Sequence, residues 1–194
     1  MVKYKGRAII DYTLSVFAHH MIDDITLVTG YKAHKLRRPG VKYVHNNDYS
    51  SSNMVKSLFC ALDVYTDATK DLVVSYSDII YSQDVLGTLL WSKSDDSDVV
   101  VVIHKQWLSL WQSRMEDPLS DAETLKVGAD GYIKEIGKKP RHYDDIEGQY
   151  IGLMKFTSLE TTPLVWIRSV ASSTRDRESH EQGSLFANNS TRPT

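Results

Sequence analysis

An uninterrupted apolar run, "VVVVI" at residues 99–103, is the feature that most restricts how this sequence can fold. β-Branched residues favour strands, and a strand without a polar position is typical of one that is covered on both faces. Helices packed on both sides of a sheet provide that cover. The run therefore predicts an α/β fold.

Helical and strand patterns alternate in the residues before this run, as an α/β fold requires. Apolar residues recur at three- and four-residue spacing in three segments, which predicts helices over residues 8–21, 51–66 and 82–94. Short apolar segments predict strands within residues 24–30, 41–46 and 71–81. Ser51 or Ser52 is expected to cap the second helix. Strands separated by helices of this length indicate a mostly parallel sheet with right-handed crossovers.

The pattern changes beyond residue 105. Two short apolar segments flank "GADG", whose Asp130-Gly131 pair predicts a β-hairpin. Residues 148–157, "GQYIGLMKFT", then predict a strand that returns to the sheet.

The end of the sequence is polar and aperiodic, which is typical of a disordered segment. The expected organisation is one domain over residues 1–171 and a disordered tail over residues 172–194.

Charge and cysteine content argue against several classes of protein. The formal net charge of -2 provides no basic field for nucleic acid or an anionic membrane, so neither is expected as a partner. No apolar run approaches the roughly 18 residues of a membrane helix. Cys60 is the single cysteine, which argues against a disulfide framework or a cysteine metal site and favours a reducing cytoplasm.

The strand predicted within residues 71–81 places one carboxylate, Asp78, at its end. Open α/β sheets bind ligands outside the carboxyl ends of their strands. An aspartate there suits Mg²⁺, a hard cation that takes oxygen ligands and often shares them with substrate phosphates. An aspartate that caps the helix beginning near Ser82, or that closes the turn, is an equally good interpretation.

Five ordered motifs cover residues 1–157. They are "KYKGRAIIDYTLSVF", "IDDITLVTGYKAHKL", "NNDYSSSNMVKSLFCA", "SYSDIIY", and "DPLSDAETLKVGADGYIKEIGKKP" followed by "GQYIGLMKF". In this order they resemble the nucleotidyltransferase family, in particular its sugar-phosphate, phosphocholine and phosphonate cytidylyltransferases and MobA-like NTP transferase domains. The resemblance implies a three-layer, Rossmann-like nucleotidyltransferase fold with a small hairpin insertion.

The same resemblance implies a reaction. A nucleotidyl group, expected to be CMP from CTP, would pass to a phosphate or phosphonate acceptor with release of pyrophosphate. Asp78 matches the aspartate of the family's "GDI" motif and would bind Mg²⁺, with Ser77 in place of the usual glycine. A catalytically impaired form of the fold, acting as a nucleotide-binding or interaction module, remains the alternative.

Further residues take roles from the matched motifs. Lys139 in "GKKP" would reach a phosphate or ribose oxygen, although by position alone it is an ordinary turn lysine. The nucleotide pocket would include Tyr49, Asn53 and Ser57, for which capping and turn formation is the alternative. The acceptor side would be lined by Glu147, Gln149 and Tyr150, for which simple polarity at the start of a strand is equally compatible.

The sequence also departs from the family pattern. The glycine-rich "GxGxRL" loop, the Pro-Lys pair that follows it and the second metal-binding aspartate have no match. These groups bind the triphosphate and offset charge in the transition state, so we expect a lower rate. A sheet without its first strand would expose unpaired backbone. We therefore expect marginal folding or oligomerisation, with another copy or a partner chain completing the sheet.

Overall fold

The structure is a computed structural model, and it describes residues 2–62, 65, 67, 69–92 and 99–157. The described residues fall into two compact units. The first contains the residues up to Asp71 together with Ser75–Ser92, and the second contains Leu72–Val74 together with the described residues beyond 98.

The first unit contains a parallel strand pair and three helices. Its main elements are β1 (Lys3–Tyr4), β2 (Arg7–Ala8), α1 (Ile9–His19), β3 (Ile25–Thr29), β4 (Val41–His45), α2 (Met54–Leu62) and α3 (Gln83–Trp91). Strands β3 and β4 pair in parallel, from Ile25 opposite Val41 to Thr29 opposite His45. The predicted helices and strands of this region are confirmed within the described residues, and so is parallel pairing between these two strands. Residues 63, 64, 66, 93 and 94 of the predicted helices lie outside the described residues.

Helices α1 and α3 supply most of the buried apolar side chains of the first unit. The α1 side chains Ile10, Thr13 and Phe17 are buried at three- and four-residue spacing, and Val16 is buried beside them. Leu86 and Leu89 of α3 are also buried. The two helices are linked where His20 Nε2 donates a hydrogen bond to the Gln83 carbonyl oxygen at 2.9 Å.

The N-terminal hairpin of β1 and β2 was not predicted. Its turn places both Lys5 and Gly6 at positive φ, 46° and 80°, which is the backbone geometry of a two-residue hairpin. The paired segments are only two residues long each, so they contain no alternation that a sequence pattern could reveal.

The second unit is built on a three-stranded sheet. Its elements are β5 (Leu72–Ser75), whose last residue belongs to the first unit, β6 (Val99–His104), α4 (Trp107–Gln112), β7 (Leu125–Val127), β8 (Ile133–Ile136) and β9 (Gln149–Phe156). The strand order is β5-β9-β6, so β9 does return to the sheet as predicted. It pairs antiparallel with β6, an orientation that the sequence did not indicate and that a mostly parallel sheet of the α/β class can include.

The insertion between α4 and β9 is a hairpin packed beside an aromatic cluster. Strands β7 and β8 pair antiparallel around the predicted turn, where Gly131 takes a φ of 80°. Trp107 is buried with Ala122 and Ile146. The ring centroids of Trp107 and Trp111 lie 6.0 Å apart, because residues four apart share one helix face. Trp107 Nε1 donates to the Ile146 carbonyl oxygen at 3.3 Å. Packing therefore accounts for both tryptophans.

The predicted tail over residues 172–194 and the domain boundary at residue 171 lie outside the described residues. Among the helices that the structure describes, none is long and apolar enough to cross a membrane.

Candidate functional site

The carboxyl ends of β3 and β4 are joined by hydrogen bonds at Asn46. Its backbone N–H donates to the Thr29 carbonyl oxygen at 2.9 Å, and Thr29 Oγ1 donates to the Val44 carbonyl oxygen at 3.2 Å. This edge of a parallel pair is where α/β sheets bind ligands. The "NNDYSSSN" segment begins here.

The buried side chain of Asn46 makes three hydrogen bonds within that segment. Asn46 is 2% exposed, and its Nδ2 donates to Ser52 Oγ at 2.9 Å and to Ser57 Oγ at 3.1 Å. Its Oδ1 accepts from the Asp48 backbone N–H at 2.9 Å. Sequence reasoning missed Asn46, although it is the first asparagine of a matched motif; its burial could not be read from a polar stretch.

Asn53 caps helix α2. Its Oδ1 accepts from the backbone N–H groups of Val55 and Lys56 at 3.1 and 3.2 Å, so the expected cap at Ser51 or Ser52 is wrong. Ser52 is instead an acceptor for Asn46. The cap uses only the oxygen of Asn53. Its Nδ2 makes no hydrogen bond within the described part of the chain, so this amide nitrogen can donate to a ligand.

Tyr49 lies over the same strand edge and is 44% exposed. The ring centroids of Tyr49 and His45 lie 6.1 Å apart in an edge-on arrangement. A Cβ at Gly30 would stand 2.5 Å from both Cβ and Cγ of Tyr49, a separation that real side chains do not tolerate. Gly30, directly after β3, therefore permits the close approach of Tyr49.

Asp78 is exposed in the turn that follows β5. Helix α3 begins only at Gln83, after Ser82, and the Asp78 carboxylate makes no hydrogen bond or ion pair with any residue that the structure describes. The capping interpretation is therefore not supported. The turn is closed by the Tyr81 hydroxyl, which donates to Ser75 Oγ at 3.1 Å, and burial raises the pKa of Tyr81.

One exposed carboxylate is compatible with Mg²⁺. Within residues 2–157, as far as these are described, no three His, Cys, Asp or Glu side chains form a metal-binding group. Mg²⁺ is commonly held by one or two carboxylates and the phosphates of its substrate, so a protein cage is not required. Asp78 fits an ion that arrives with a triphosphate.

Lys139 of the second unit is exposed, and its ammonium group is directed by backbone oxygens. Its Nζ donates to the carbonyl oxygen of Leu119 and, at 2.6 Å, to that of Ser120. An ammonium group has three N–H donors, so one remains for a ligand oxygen. The carbonyls belong to a short 3₁₀ helix, Pro118–Ser120, that is capped by Asp117.

The predicted acceptor residues Gln149 and Glu147 bind the neighbouring chain segment. Gln149 is 7% exposed; its Nε2 donates to the Glu123 carbonyl oxygen at 2.6 Å, and its Oε1 accepts from the Glu123 N–H at 3.3 Å. Glu147 Oε2 accepts from the Val127 N–H at 3.1 Å. Tyr150 lies in β9 opposite Ile103 of β6.

In the second unit, three of the predicted site residues contact the same chain segment. Lys139, Gln149 and Glu147 all contact the backbone within residues 119–127. In the first unit Asn46 bonds Tyr49 and Ser57, and Ser57 donates its backbone N–H to the Asn53 carbonyl oxygen, whereas Asp78 lies in the other stretch of that unit.

Comparisons with known proteins agree with the motifs. Residues 1–186 match the family model of the MobA-like NTP transferase domain. A CTP:phosphoglutamine cytidylyltransferase from Campylobacter jejuni is 41% identical in an alignment of length 165 that covers 81% of this chain and 64% of that protein. The chain therefore spans somewhat less than two thirds of the length of this curated relative.

Solved structures show the fold. An inositol-1-phosphate CTP transferase from T. maritima superposes with a TM-score of 0.56 at 14% identity, covering 92% of this chain and 73% of that one. A 4-diphosphocytidyl-2C-methyl-D-erythritol synthase from Anaerococcus prevotii superposes with a TM-score of 0.55 at 13% identity, covering 88% and 67%. The nucleotidyltransferase-like α/β fold expected from the sequence is confirmed.

Proposed function

The chain belongs to the family of MobA-like NTP transferase domains, and from that membership we propose that it transfers a nucleotidyl group from a nucleoside triphosphate to a phosphate-bearing acceptor. The acceptor oxygen attacks the α-phosphorus, the bond from the α-phosphorus to the bridging oxygen breaks, and pyrophosphate leaves. Such a transfer needs alignment of the reacting oxygens and positive charge where negative charge grows.

CTP is the proposed donor. The observation that carries this choice is the 41% identity to a CTP:phosphoglutamine cytidylyltransferase over 81% of the chain. Phosphoglutamine is accordingly the first acceptor to test, and phosphonates and phosphocholine are the further candidates from the motif resemblance.

Mg²⁺ is the proposed metal, with Asp78 as its protein ligand. The exposed carboxylate of Asp78 and its lack of a partner among the described residues support this role. When bound, the ion would neutralise charge on the triphosphate oxygens and hold them in one orientation. Asp78 would set where the triphosphate lies relative to the turn that Tyr81 and Ser75 close.

The nucleotide-binding role of Tyr49, Asn53 and Ser57 is part of the proposal. Asn53 would donate through Nδ2, since its oxygen is engaged in the helix cap. Tyr49 would contribute an exposed aromatic ring, held over Gly30, and Ser57 its hydroxyl group.

Lys139 would donate its remaining N–H to a phosphate or ribose oxygen. Gln149 and Glu147 would shape the acceptor side through the backbone of residues 123–127, because their polar atoms are already engaged there. Tyr150 is assigned to the same side by the motif match. A cytoplasmic location stays a prediction from the single cysteine.

Pyrophosphate release by the purified chain tests the proposal. Each of the four nucleoside triphosphates is supplied with Mg²⁺ and, in turn, phosphoglutamine, a phosphonate and phosphocholine. Release that requires both CTP and one acceptor supports it. Binding of CTP without release, in a sample shown to be folded, would instead indicate a nucleotide-binding module.

A further inference from the structure

Asn46 is a buried polar residue that ties two strand ends to the start of a helix. Its backbone N–H binds the last residue of β3 at Thr29, and it directly follows the last residue of β4. Its side chain reaches Ser57, inside the first turns of α2. One residue thus connects three elements of the first unit.

The hydrogen-bonding capacity of this side chain is almost fully used. Both N–H groups of Nδ2 have hydroxyl acceptors, on Ser52 and Ser57, and Oδ1 accepts from Asp48. A buried carboxamide paired in this way is costly to disturb, because each lost partner leaves a desolvated polar group unsatisfied. The Asn46 side chain consequently links Asp48, Ser52 and Ser57 of the segment over residues 46–57.

This segment contains the three residues assigned above to the nucleotide pocket, namely Tyr49, Asn53 and Ser57. Tyr49 donates its backbone N–H to the Asn46 carbonyl oxygen at 3.3 Å, and Ser57 accepts from the Asn46 side chain. Resting on the proposed function, we infer that Asn46 is a positioning residue for the nucleotide. It acts through these neighbours and does not itself touch the ligand, being almost fully buried.

The chain offers a matched pair of substitutions. Asn46→Leu is close to isosteric and removes all three side-chain hydrogen bonds. Asn47→Leu makes the same change one position on, where the side chain is exposed and unbonded among the described residues. We expect Asn46→Leu to lower kcat/KM for CTP by about 100-fold, because small displacements of binding groups have effects of this size, and Asn47→Leu to leave it unchanged.

A merely structural role would reduce the folded fraction and affect both substrates alike. The measurement is therefore KM for CTP and KM for the acceptor on samples whose folded fraction is matched by circular dichroism. We expect KM for CTP to rise while KM for the acceptor stays constant. Amide exchange at Asp48, followed by NMR, should accelerate in Asn46→Leu, since that N–H loses its acceptor.

Ser52→Ala provides a second variant in case Asn46→Leu does not fold. It removes one acceptor of Asn46 and leaves the asparagine in place, so KM for CTP should rise in the same direction by a smaller factor. Unchanged KM for CTP in the folded variants overturns the inference while leaving the proposed function intact. A wild-type chain that neither binds nor turns over CTP overturns both.

Discussion

The Tyr81 hydroxyl donates to Ser75 Oγ at 3.1 Å and closes the turn on which Asp78 is exposed. Ser75 Oγ in turn donates to the Tyr76 carbonyl oxygen at 3.0 Å, so the two ends of the turn share one hydrogen-bonded chain. These bonds hold the two ends of the turn together without using the Asp78 carboxylate oxygens. A carboxylate presented in this way is available to a cation.

Replacing Asp78 by asparagine should abolish most activity and leave stability unchanged. The change removes the charge that would hold Mg²⁺, and an exposed side chain without partners in the described structure contributes little to folding. We expect pyrophosphate release to fall by at least about 100-fold, the size seen when one group that stabilises transition-state charge is removed. Asp84→Asn, an exposed carboxylate in the first turn of α3, is the control. Equal activity in both variants would contradict the metal-binding role.

Lys139→Ala should reduce kcat by about 100-fold, whereas Lys138→Ala should have little effect. Lys139 is positioned by two carbonyl oxygens and retains one N–H donor, while Lys138 makes only an exposed ion pair with Glu135 at 2.7 Å. Steady-state pyrophosphate release checks both variants. A comparable loss in each would indicate a general effect of surface charge.

Gln149→Leu should destabilise the protein by about 1 kcal/mol, the cost of removing hydrogen bonds to partly buried backbone groups. The groups that lose their partner are the N–H and carbonyl oxygen of Glu123. Urea unfolding measures the change, and Gln112→Leu on the exposed end of α4 should lie within about 0.5 kcal/mol of wild type. Full stability combined with a raised KM for the acceptor would show that Gln149 contacts the acceptor directly.

Substitutions at Asn53 separate helix capping from ligand binding. Serine is also a good cap, so Asn53→Ser should retain stability, whereas Asn53→Ala should lose about 1 kcal/mol. Both variants lack the Nδ2 donor and should bind CTP about 10-fold more weakly, as expected for one lost hydrogen bond. Thermal unfolding and CTP titration check the two effects. Wild-type affinity in Asn53→Ser would limit Asn53 to its capping role.

Stability should fall in acid partly through Asp145. The backbone N–H groups of Arg141 and His142 donate to its carboxylate at 2.8 and 3.0 Å and hold the pKa of Asp145 below its usual value. A carboxyl group with a lowered folded-state pKa contributes stability above its unfolded pKa, near 4, and loses it as the pH falls through the folded value. Urea midpoints between about pH 6 and pH 3 should therefore decline less steeply in Asp145→Asn than in wild type.

Asp144→Asn is the matched control for this pH dependence. Its carboxylate makes no hydrogen bond within the described residues, so its pH profile should follow that of wild type. If the urea midpoint changes with pH by the same slope in wild type and both variants, Asp145 does not contribute to the loss of stability in acid.

Local sequence patterns determined the α/β class, the hairpin turn at Gly131 and most helices and strands, because hydrophobic spacing and turn residues act over a few neighbouring positions. The motif order also indicated the family. Only the tertiary structure decided that Asn53 rather than Ser52 caps α2, and that β9 lies antiparallel beside β6. It alone showed Asn46 buried and Gln149 bound to Glu123. These features depend on hydrogen bonds and burial set by packing, and polar residues of the same type are equivalent until packing selects one.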